Sequence, residues 1–509
     1  MNKTVVIIGA GMGGLFTGAF LAKEDYKVVV IEKNSTIGGG LQTFMRHGVS
    51  FDTGLHTLGG FRDGGSLQKI CHYFGILKDL DILDVDDDCM DSITYLEDGK
   101  TYKIRSGREG FTESFVSFFP EEEDGIRQYV DALYRMSNGV NLFWLRPSGD
   151  DVSIKDGMFF WPASKMIEHY VRDERLRDML AYMNPMYAGV KGHTPAYIHS
   201  LINVLYINGP SRLAGGSRQL ATGLASVIKA SGGEIITGQA VTGVNVSNRQ
   251  VQSVVTEKGT EYTADYYISD IHPCSLLNIL PVHAFPHSFC DRLRSIPSTY
   301  SAFSVFVIFK KNTFPYINHT CYFQEKYGQV WSHSLYDDMW PRGFMYITPP
   351  CRGQGHYAVS MIINSLMEYK QVIPWETTTT GNRGKDYEEW KKSRMEQVIG
   401  RIEQLYPDFR KCIDSVFAAS PLTIRDYYNT KEGALYGFRK DCNNMALSHL
   451  SVFTKISNLL LTGQNINLHG ICGVPLTAIN TAEAIVGKDT IVHKINYSFV
   501  KDHDIIQSI

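Results

Sequence analysis

The stretch from residue 4 to residue 40 decides the fold, and it reads TVVIIGAGMGGLFTGAFLAKEDYKVVVIEKNSTIGGG. Residues 5–8 form a continuous apolar run, as in a strand that is buried on both faces. A turn with the spacing G-x-G-x-x-G follows, and residues 15–23 favour a helix. Residues 28–31 form a second apolar run of strand length. The stretch therefore predicts a strand–turn–helix–strand unit of an α/β fold.

The glycines of this turn, together with an acid further along, are typical of a dinucleotide site. Gly9 allows the tight turn out of the strand, Gly11 lets a pyrophosphate approach the backbone, and Gly14 lets helix and strand pack closely. The helix N-terminus offers free N–H groups and a positive dipole end to phosphates. Glu32 lies 23 residues after Gly9, where a carboxylate can hydrogen-bond a ribose 2′-hydroxyl. The pattern predicts FAD or NAD and disfavours NADP, whose 2′-phosphate the acid would repel.

Composition narrows the class of protein. The chain has 509 residues, of which 43% are hydrophobic and 20% charged, so it can build two or more cores. A net charge of −3 gives no basic field for nucleic acid, and no apolar stretch is long enough to span a bilayer. The nine cysteines contain no C-x-x-C pair, which disfavours a disulfide framework or a zinc site and indicates a reducing compartment. The cysteine spacing also leads us to expect no metal. A signal peptide would leave the second strand and its acid unexplained, so we expect a cytoplasmic protein.

A second glycine signal follows the acid. After Glu32 come five residues and Gly38-Gly39-Gly40, then Leu41, and then the turn Phe51-Asp52-Thr53-Gly54. Here the chain resembles the FAD-dependent amine oxidase and phytoene desaturase superfamily, whose members carry G-x-G-x-x-G, E-x5-G-G and an F-D-x-G turn in this order. The resemblance implies FAD rather than NAD, and a Rossmann-like FAD-binding domain of the amine-oxidase type.

The resemblance also implies which residues hold the FAD. From the first part of the chain these are Gly9, Gly11, Gly13, Gly14, Glu32, Lys33, Gly39, Gly40, Leu41, Gly54 and Thr57. Residues 54–57 would lie near the isoalloxazine, and Val241 would hold the adenine through its backbone. Gly463 and Gln464 would meet the pyrophosphate or the ribityl chain. A helix opened by residues 473–477, which include Val474, would direct its N-terminus at the flavin, with Pro475 in its first turn.

A run near the C-terminus indicates a branch of this superfamily. Residues 420–429 read SPLTIRDYYN and residues 432–437 read EGALYG, which is similar to the retinol saturase branch. The branch implies an oxidoreductase that adds hydrogen across a carbon–carbon double bond of an apolar polyene or isoprenoid, with hydride from flavin N5. A carotenoid or phytoene desaturase and a carotenoid isomerase remain alternatives within the enzymes. Prenyl-binding proteins of the GDP-dissociation-inhibitor and Rab escort type, which share the fold without flavin, are the non-enzyme alternative.

The order of predicted elements indicates two interleaved domains, because strands return after a helical insertion. We expect the FAD-binding domain over residues 1–105, 205–274 and 441–509. The substrate-binding domain, a mixed sheet with helices, is expected over residues 106–204 and 275–440. The fold class is therefore α/β, with a discontinuous Rossmann-like domain.

Three further expectations concern chemistry and partners. His56 and His469 lie in the flavin-facing motifs and are the first candidates for the proton donor. The aromatic run at residues 140–144 either packs in the core of the second domain or dips transiently into a membrane surface to collect a lipid. No second glycine motif follows a strand, so no separate NAD(P)H domain is expected, and no motif identifies the electron donor or acceptor.

Overall fold

The computed structural model describes residues 3–62, 64–149, 156–353, 355–445 and 449–507, so the outermost ends of the predicted FAD-binding domain, residues 1–2 and 508–509, lie outside it. In this part the strands are β1 (Thr4–Ile8), β2 (Lys27–Ile31), β3 (Thr43–Arg46), β4 (Val49–Asp52), β5 (Ile82–Asp84), β6 (Asp91–Tyr95), β7 (Lys100–Ile104), β8 (Ser211–Leu213), β9 (Glu234–Ile236), β10 (Val241–Ser247), β11 (Gln250–Thr256), β12 (Glu261–Tyr262), β13 (Tyr266–Ser269), β14 (Ser301–Phe309), β15 (Thr320–Gln324), β16 (Gly343–Ile347), β17 (Ser360–Met367), β18 (Ile413–Ala419) and β19 (Leu459–Leu461). The helices are α1 (Met12–Lys23), α2 (Ser66–Phe74), α3 (Arg108–Phe118), α4 (Glu123–Asn138), α5 (Ala163–Tyr170), α6 (Glu174–Leu180), α7 (Ala196–Ile207), α8 (Arg218–Ala230), α9 (Pro273–Ile279), α10 (His287–Ser295), α11 (Lys385–Leu405), α12 (Phe409–Cys412), α13 (Pro421–Tyr428), α14 (Gly470–Val486) and α15 (Thr490–Gln507).

A five-stranded parallel sheet has the order β19-β13-β1-β2-β9. Side chains alternate across a strand, so Val5 and Ile7 of β1 pack into one apolar core and Val6 and Ile8 into another. Burial on both faces explains why the sequence shows continuous apolar runs instead of alternation. The predicted strand–turn–helix–strand unit is confirmed, and α1 packs against both α8 and α14.

A seven-stranded mixed sheet has the order β18-β14-β17-β16-β15-β6-β7. Strands β6 and β15 pair in parallel, and the other neighbours are antiparallel. The predicted FAD-binding domain extended to residue 105, whereas β6 and β7 belong to this second sheet. The reason is hydrogen bonding: β6 is in register with β15 along all five residues, and β7 is the hairpin partner of β6. The position of the β6–β7 hairpin is therefore set by its pairing with the distant strand β15, which no local sequence pattern reveals.

The aromatic run at residues 140–144 packs inward. Phe143 is 4% exposed, and the half-buried Trp144 donates its indole N–H to the carbonyl of Ser137 at 3.0 Å. The neighbouring helix α4 buries the apolar residues that recur at helical spacing. Core packing is therefore the interpretation that holds for this run, and the membrane lip is wrong for Phe143.

In the described ranges no single helix combines the length and apolar character needed to cross a bilayer. Helices α14 and α15, the latter taken to Lys501, satisfy that test only as a pair, and a 115° bend separates them.

Candidate functional site

The turn between β1 and α1 has no room for side chains. Gly9 has a φ of +101°, in the left-handed region that favours glycine. A Cβ at Gly11 would lie 2.6 Å from a carboxylate oxygen of Asp270, and one at Gly13 would lie 2.7 Å from the Cα of Gly463. These approaches are shorter than any ordinary van der Waals contact. The turn therefore requires glycine, and it brings the N-terminal and C-terminal motifs together.

Glu32 joins the end of β2 to this turn. Its side chain is buried, Oε2 accepts the N–H of Ala10 at 2.8 Å, and Oε1 accepts the N–H of Asn34 at 2.8 Å. The Glu32 carbonyl accepts the N–H of Gln239 at 3.0 Å, which brings the segment before β10 alongside. Val241 is the first residue of β10 and is half-buried, while Lys33 is exposed to solvent.

The second glycine signal packs against the first. The N–H of Gly38 donates to the carbonyl of Ala10 at 2.7 Å, and a short 3₁₀ turn, Gly39–Leu41, follows. A Cβ at Gly39 would lie 3.3 Å from the Cα of Gly11. Leu41 is buried, and its carbonyl accepts the hydroxyl of Ser217 at 3.2 Å. Both glycine signals therefore line one backbone cradle.

Gly40 and Gly54 meet a residue that the sequence analysis missed. The Tyr428 hydroxyl, at the end of α13, would lie 2.5 Å from a Cβ at Gly54 and 3.8 Å from one at Gly40. This hydroxyl is buried and makes no hydrogen bond of good geometry in the described part of the chain. The SPLTIRDYYN run contains Tyr428, so the signal was present, but only the fold shows which of its residues reaches the cradle.

Asp270 is the second residue that was missed. It follows β13, which neighbours β1, and its carboxylate accepts hydrogen bonds from the N–H groups of Gly11 and Gly14. Burial raises the pKa of Asp270 to about 7. The available signal was a polar residue directly after a buried strand of the parallel sheet. Its role is to hold the glycine turn, because each buried loop N–H requires an acceptor.

The helix of the C-terminal motif begins three residues earlier than predicted. Gly463 (φ +91°) and the half-buried Gln464 follow β19, and α14 starts at Gly470 instead of residue 473. Pro475 therefore occupies the sixth helical position, where its missing N–H leaves the carbonyl one turn back without a helical donor. Val474 is buried on this helix. The first-turn placement of Pro475 was wrong, because proline is only preferred there and does not mark the start.

The two predicted catalytic histidines line different cavities, His56 together with Asp52, and His469 at the start of α14. His56 has an Nδ1 without a hydrogen-bond partner among the described residues, and His469 caps the N-terminal end of α14 with its ring 4.9 Å from that of Tyr436. Burial lowers the pKa of His56 to about 4 and that of His469 to about 3. Both imidazoles are therefore neutral at pH 7. Thr57, close to His56 in sequence, is buried with its hydroxyl 3.5 Å from the carbonyl of Ser211.

An apolar cavity adjoins the start of α14. Its walls come from α7, from the aromatic run and from the segment before α14, and they are Phe143, Ile198, Leu201, Ile202, Leu468 and Cys472, with His469 and Gly473 completing the lining. Throughout the described ranges, no group of three or more His, Cys, Asp or Glu side chains is placed to hold a metal ion. The site therefore combines a backbone cradle with an apolar space.

The cradle fits FAD. Its turn excludes side chains at the N-terminus of α1, where phosphates bind, and Glu32 lies at the end of the neighbouring strand, where a ribose is bound. The glycines of the second signal and of the C-terminal motif border the same space. These backbone surfaces allow a long dinucleotide to lie close to the chain.

Comparison with known proteins agrees with this fit. The family described as flavin containing amine oxidoreductase matches residues 12–486. All-trans-retinol 13,14-reductase of Macaca fascicularis is 27% identical, over 98% of this chain and 87% of that protein. Prolycopene isomerase 2, chloroplastic, of an Oncidium hybrid cultivar is 22% identical, over 85% of this chain and 74% of that protein.

A solved structure shows that the fold is shared more widely. An oxidoreductase from Methanosarcina mazei superposes with a TM-score of 0.62 at 16% identity, covering 94% of this chain and all of that one. At this identity the likeness concerns the fold alone. The family match extends over most of the chain, and it includes helix α1, the second glycine signal and α14. The chain is therefore an FAD-dependent oxidoreductase that belongs to the family of flavin-containing amine oxidoreductases.

Proposed function

We propose that this oxidoreductase saturates a carbon–carbon double bond of an apolar polyene or isoprenoid lipid. One observation carries the proposal: the similarity to a retinol 13,14-reductase covers 98% of this chain instead of the nucleotide-binding segments alone. The names of the retinoid and carotenoid relatives support an apolar substrate. The cavity at the start of α14 supports the same substrate class, because its lining is apolar except for the His469 imidazole.

The residues proposed to hold FAD come from the first 57 residues, from the start of β10 and from the C-terminal motif. They are Gly9, Gly11, Gly13, Gly14, Glu32, Lys33, Gly39, Gly40, Leu41, Gly54, Thr57, Val241, Gly463, Gln464 and Val474. When bound and reduced, FAD supplies the hydride that saturation of a double bond requires. The chain orients the cofactor through backbone contacts and the Glu32 carboxylate, and its buried apolar walls exclude water from the reacting carbon.

Saturation also needs a proton at the second carbon. His56 and His469 remain our proposed donors, and each would act from a neutral imidazole, because burial lowers the pKa of both. Because neither imidazole titrates between pH 6 and 8, the rate should change little across this range. The buried phenols of Tyr428 and Tyr436 lie beside the cradle and beside His469, and they can donate a proton through a neutral hydroxyl.

We also propose that the protein works in the cytoplasm and touches membranes transiently. An apolar polyene resides in lipid, so the substrate has to be collected from a surface. Flotation with phosphatidylcholine vesicles that contain retinol tests this proposal. Recovery of the protein with such vesicles is expected, and recovery only in the soluble fraction would contradict it.

The direction of the reaction is tested by spectroscopy. The purified holoenzyme is reduced with dithionite under anaerobic conditions, and all-trans-retinol is added while the flavin band near about 450 nm is followed. Return of the band, with a product that has lost one double bond, is the expected result. A flavin that stays reduced would contradict saturation of retinol. Purified protein that contains no flavin would instead favour the alternative of a prenyl-binding protein.

A desaturase or isomerase of carotenoids is the second candidate. The similarity to a prolycopene isomerase over 85% of this chain favours it. The same anaerobic flavin assay distinguishes a desaturase from a saturase, because a desaturase would reduce the oxidised flavin when a carotenoid is added. An isomerase would change the substrate spectrum without net change in the flavin.

A further inference from the structure

A second cavity lies beside the segment expected near the isoalloxazine. It is bounded by the end of β4, the following loop, β8 and the end of β16, and its mostly apolar lining includes two charged side chains, those of Asp52 and Arg212. Its lining includes Asp52, Leu55, His56, Leu58, Arg212 and Ile347. Two lining groups, the Nδ1 of His56 and the Nε of Arg212, are buried without a hydrogen-bond partner in the described residues.

Arg212 is a buried cation that forms no close ion pair in the described ranges. Its side chain is 1% exposed, and one terminal nitrogen donates to the carbonyls of Ile317 at 3.3 Å and Thr348 at 3.2 Å. Among the residues that the structure describes, no carboxylate lies within 4.0 Å of the guanidinium. A buried charge is costly unless it is paired, so a guanidinium in this position indicates a missing anionic partner.

The polar neighbours do not supply that partner. Tyr316 next to the guanidinium is neutral because burial raises its pKa, and Asp91, whose charge attracts the guanidinium, forms no ion pair with it within 4.0 Å. Asp91 also accepts the hydroxyl of Tyr182 at 2.7 Å. The Asp52 carboxyl faces Ser217, whose N–H and hydroxyl both donate to its Oδ1 at 2.7 Å. Arg212 therefore lines the cavity with two guanidinium nitrogens, Nε and Nη2, that have no hydrogen-bond partner among the described residues.

We propose that Arg212 binds a carboxylate at the polar end of the polyene substrate. The inference rests on the proposed function, and it specifies that a polyene acid is preferred over the corresponding alcohol. A guanidinium presents paired N–H groups whose geometry matches a carboxylate, and such charge-assisted hydrogen bonds are stronger than neutral ones. His56 in the same cavity can add a neutral hydrogen bond to the same end group. The apolar chain would then extend away from this anchor.

The test measures binding to the oxidised holoenzyme, where no turnover is needed. Two matched pairs of probes are titrated at mildly alkaline pH: all-trans-retinoic acid with all-trans-retinol, and cis-parinaric acid with its alcohol. In the native protein each acid should bind at least about tenfold more tightly than its alcohol. Arg212→Met should bring the ratio of the two affinities to about one. Arg212→Lys should leave an intermediate ratio, because lysine keeps the positive charge but lacks the paired N–H groups of a guanidinium.

Arg410→Met is the matched control. Arg410 lies on the surface, paired with Glu396 and Glu403, so the acid-to-alcohol ratio should stay at the native value. A native ratio near one, or no binding of either acid, would overturn the inference even if Arg212→Met does not fold. A lower flavin potential in Arg212→Met or Arg212→Lys with an unchanged ratio would also overturn it. Failure of either retinoid to reoxidise the reduced enzyme would count against the proposed function instead, since the binding ratio is read independently.

Discussion

Replacing Glu32 by glutamine tests whether one carboxylate organises the cradle. In the native chain its two oxygens accept different backbone N–H groups, those of Ala10 and Asn34, both at 2.8 Å. Glutamine keeps the size of the side chain but has only one acceptor oxygen. Its amide nitrogen would face one of the two N–H donors, and that buried donor would have no partner.

The size of the effect follows from these contacts. A hydrogen bond to a charged group contributes roughly 1.5–3 kcal/mol, and leaving a buried donor unsatisfied costs a similar amount. We therefore expect Glu32→Gln to lower the free energy of unfolding of the apoprotein by about 2 kcal/mol. The ribose of FAD would lose a charged acceptor as well, so the dissociation constant should rise by roughly 10- to 150-fold, since every 1.4 kcal/mol is about tenfold.

Both quantities can be measured on apoprotein. Calorimetric titration with FAD gives the dissociation constant, and denaturant unfolding gives the stability. Glu234→Gln is the matched control, because Glu234 starts β9 in the same parallel sheet but is exposed to solvent. If Glu32→Gln bound FAD within about twofold of the native constant, or if the control lost as much affinity, the assigned role of the carboxylate would be refuted.

Three further outcomes are expected. Gly13→Ala should abolish FAD retention in purified protein, since its Cβ would lie 2.7 Å from backbone of the C-terminal motif, whereas Gly243→Ala, with no atom within 4 Å of its Cβ, should retain FAD. For Asp270, whose pKa is raised from 3.8 to about 7, the folded state keeps a proton that the unfolded chain releases, so stability should fall from pH 4 to pH 7, and Asp270→Asn should flatten this fall in thermal unfolding of the apoprotein. Phe143→Ala should cost about 3–5 kcal/mol of unfolding free energy because the ring is buried, while Phe160→Ala, at a ring that is 44% exposed, should cost less than about 1 kcal/mol.

The nucleotide-binding unit could be predicted because its signals are local. Continuous apolar runs identify β1 and β2, and the spacing of the glycines identifies the turn between them. The same holds for α4, whose buried residues recur at helical spacing. In each case neighbouring residues determine the local structure, so a short window of sequence contains the necessary information.

The remainder depends on contacts between distant residues. Asp270 reaches the glycine turn because β13 lies beside β1 in the sheet, and Tyr428 reaches Gly54 because α13 packs near the cradle. The β6–β7 hairpin joins the second sheet through β15, more than 200 residues further along. Arg212 lies in a stretch without a distinctive pattern, and only its burial shows that it is unusual. Register and packing between remote segments produced all of these features.

The position of β19 has a consequence for synthesis on the ribosome. Strand β19, residues 459–461, completes one edge of the parallel sheet, and the Gly463 that follows it closes against Gly13. At typical translation rates roughly 10–40 s separate the emergence of β13 from that of β19. During this interval a nascent chain exposes an unpaired edge of β13 and half of a cofactor cradle. Chaperones that shield strand edges should therefore affect the yield of folded protein more than an early supply of flavin does.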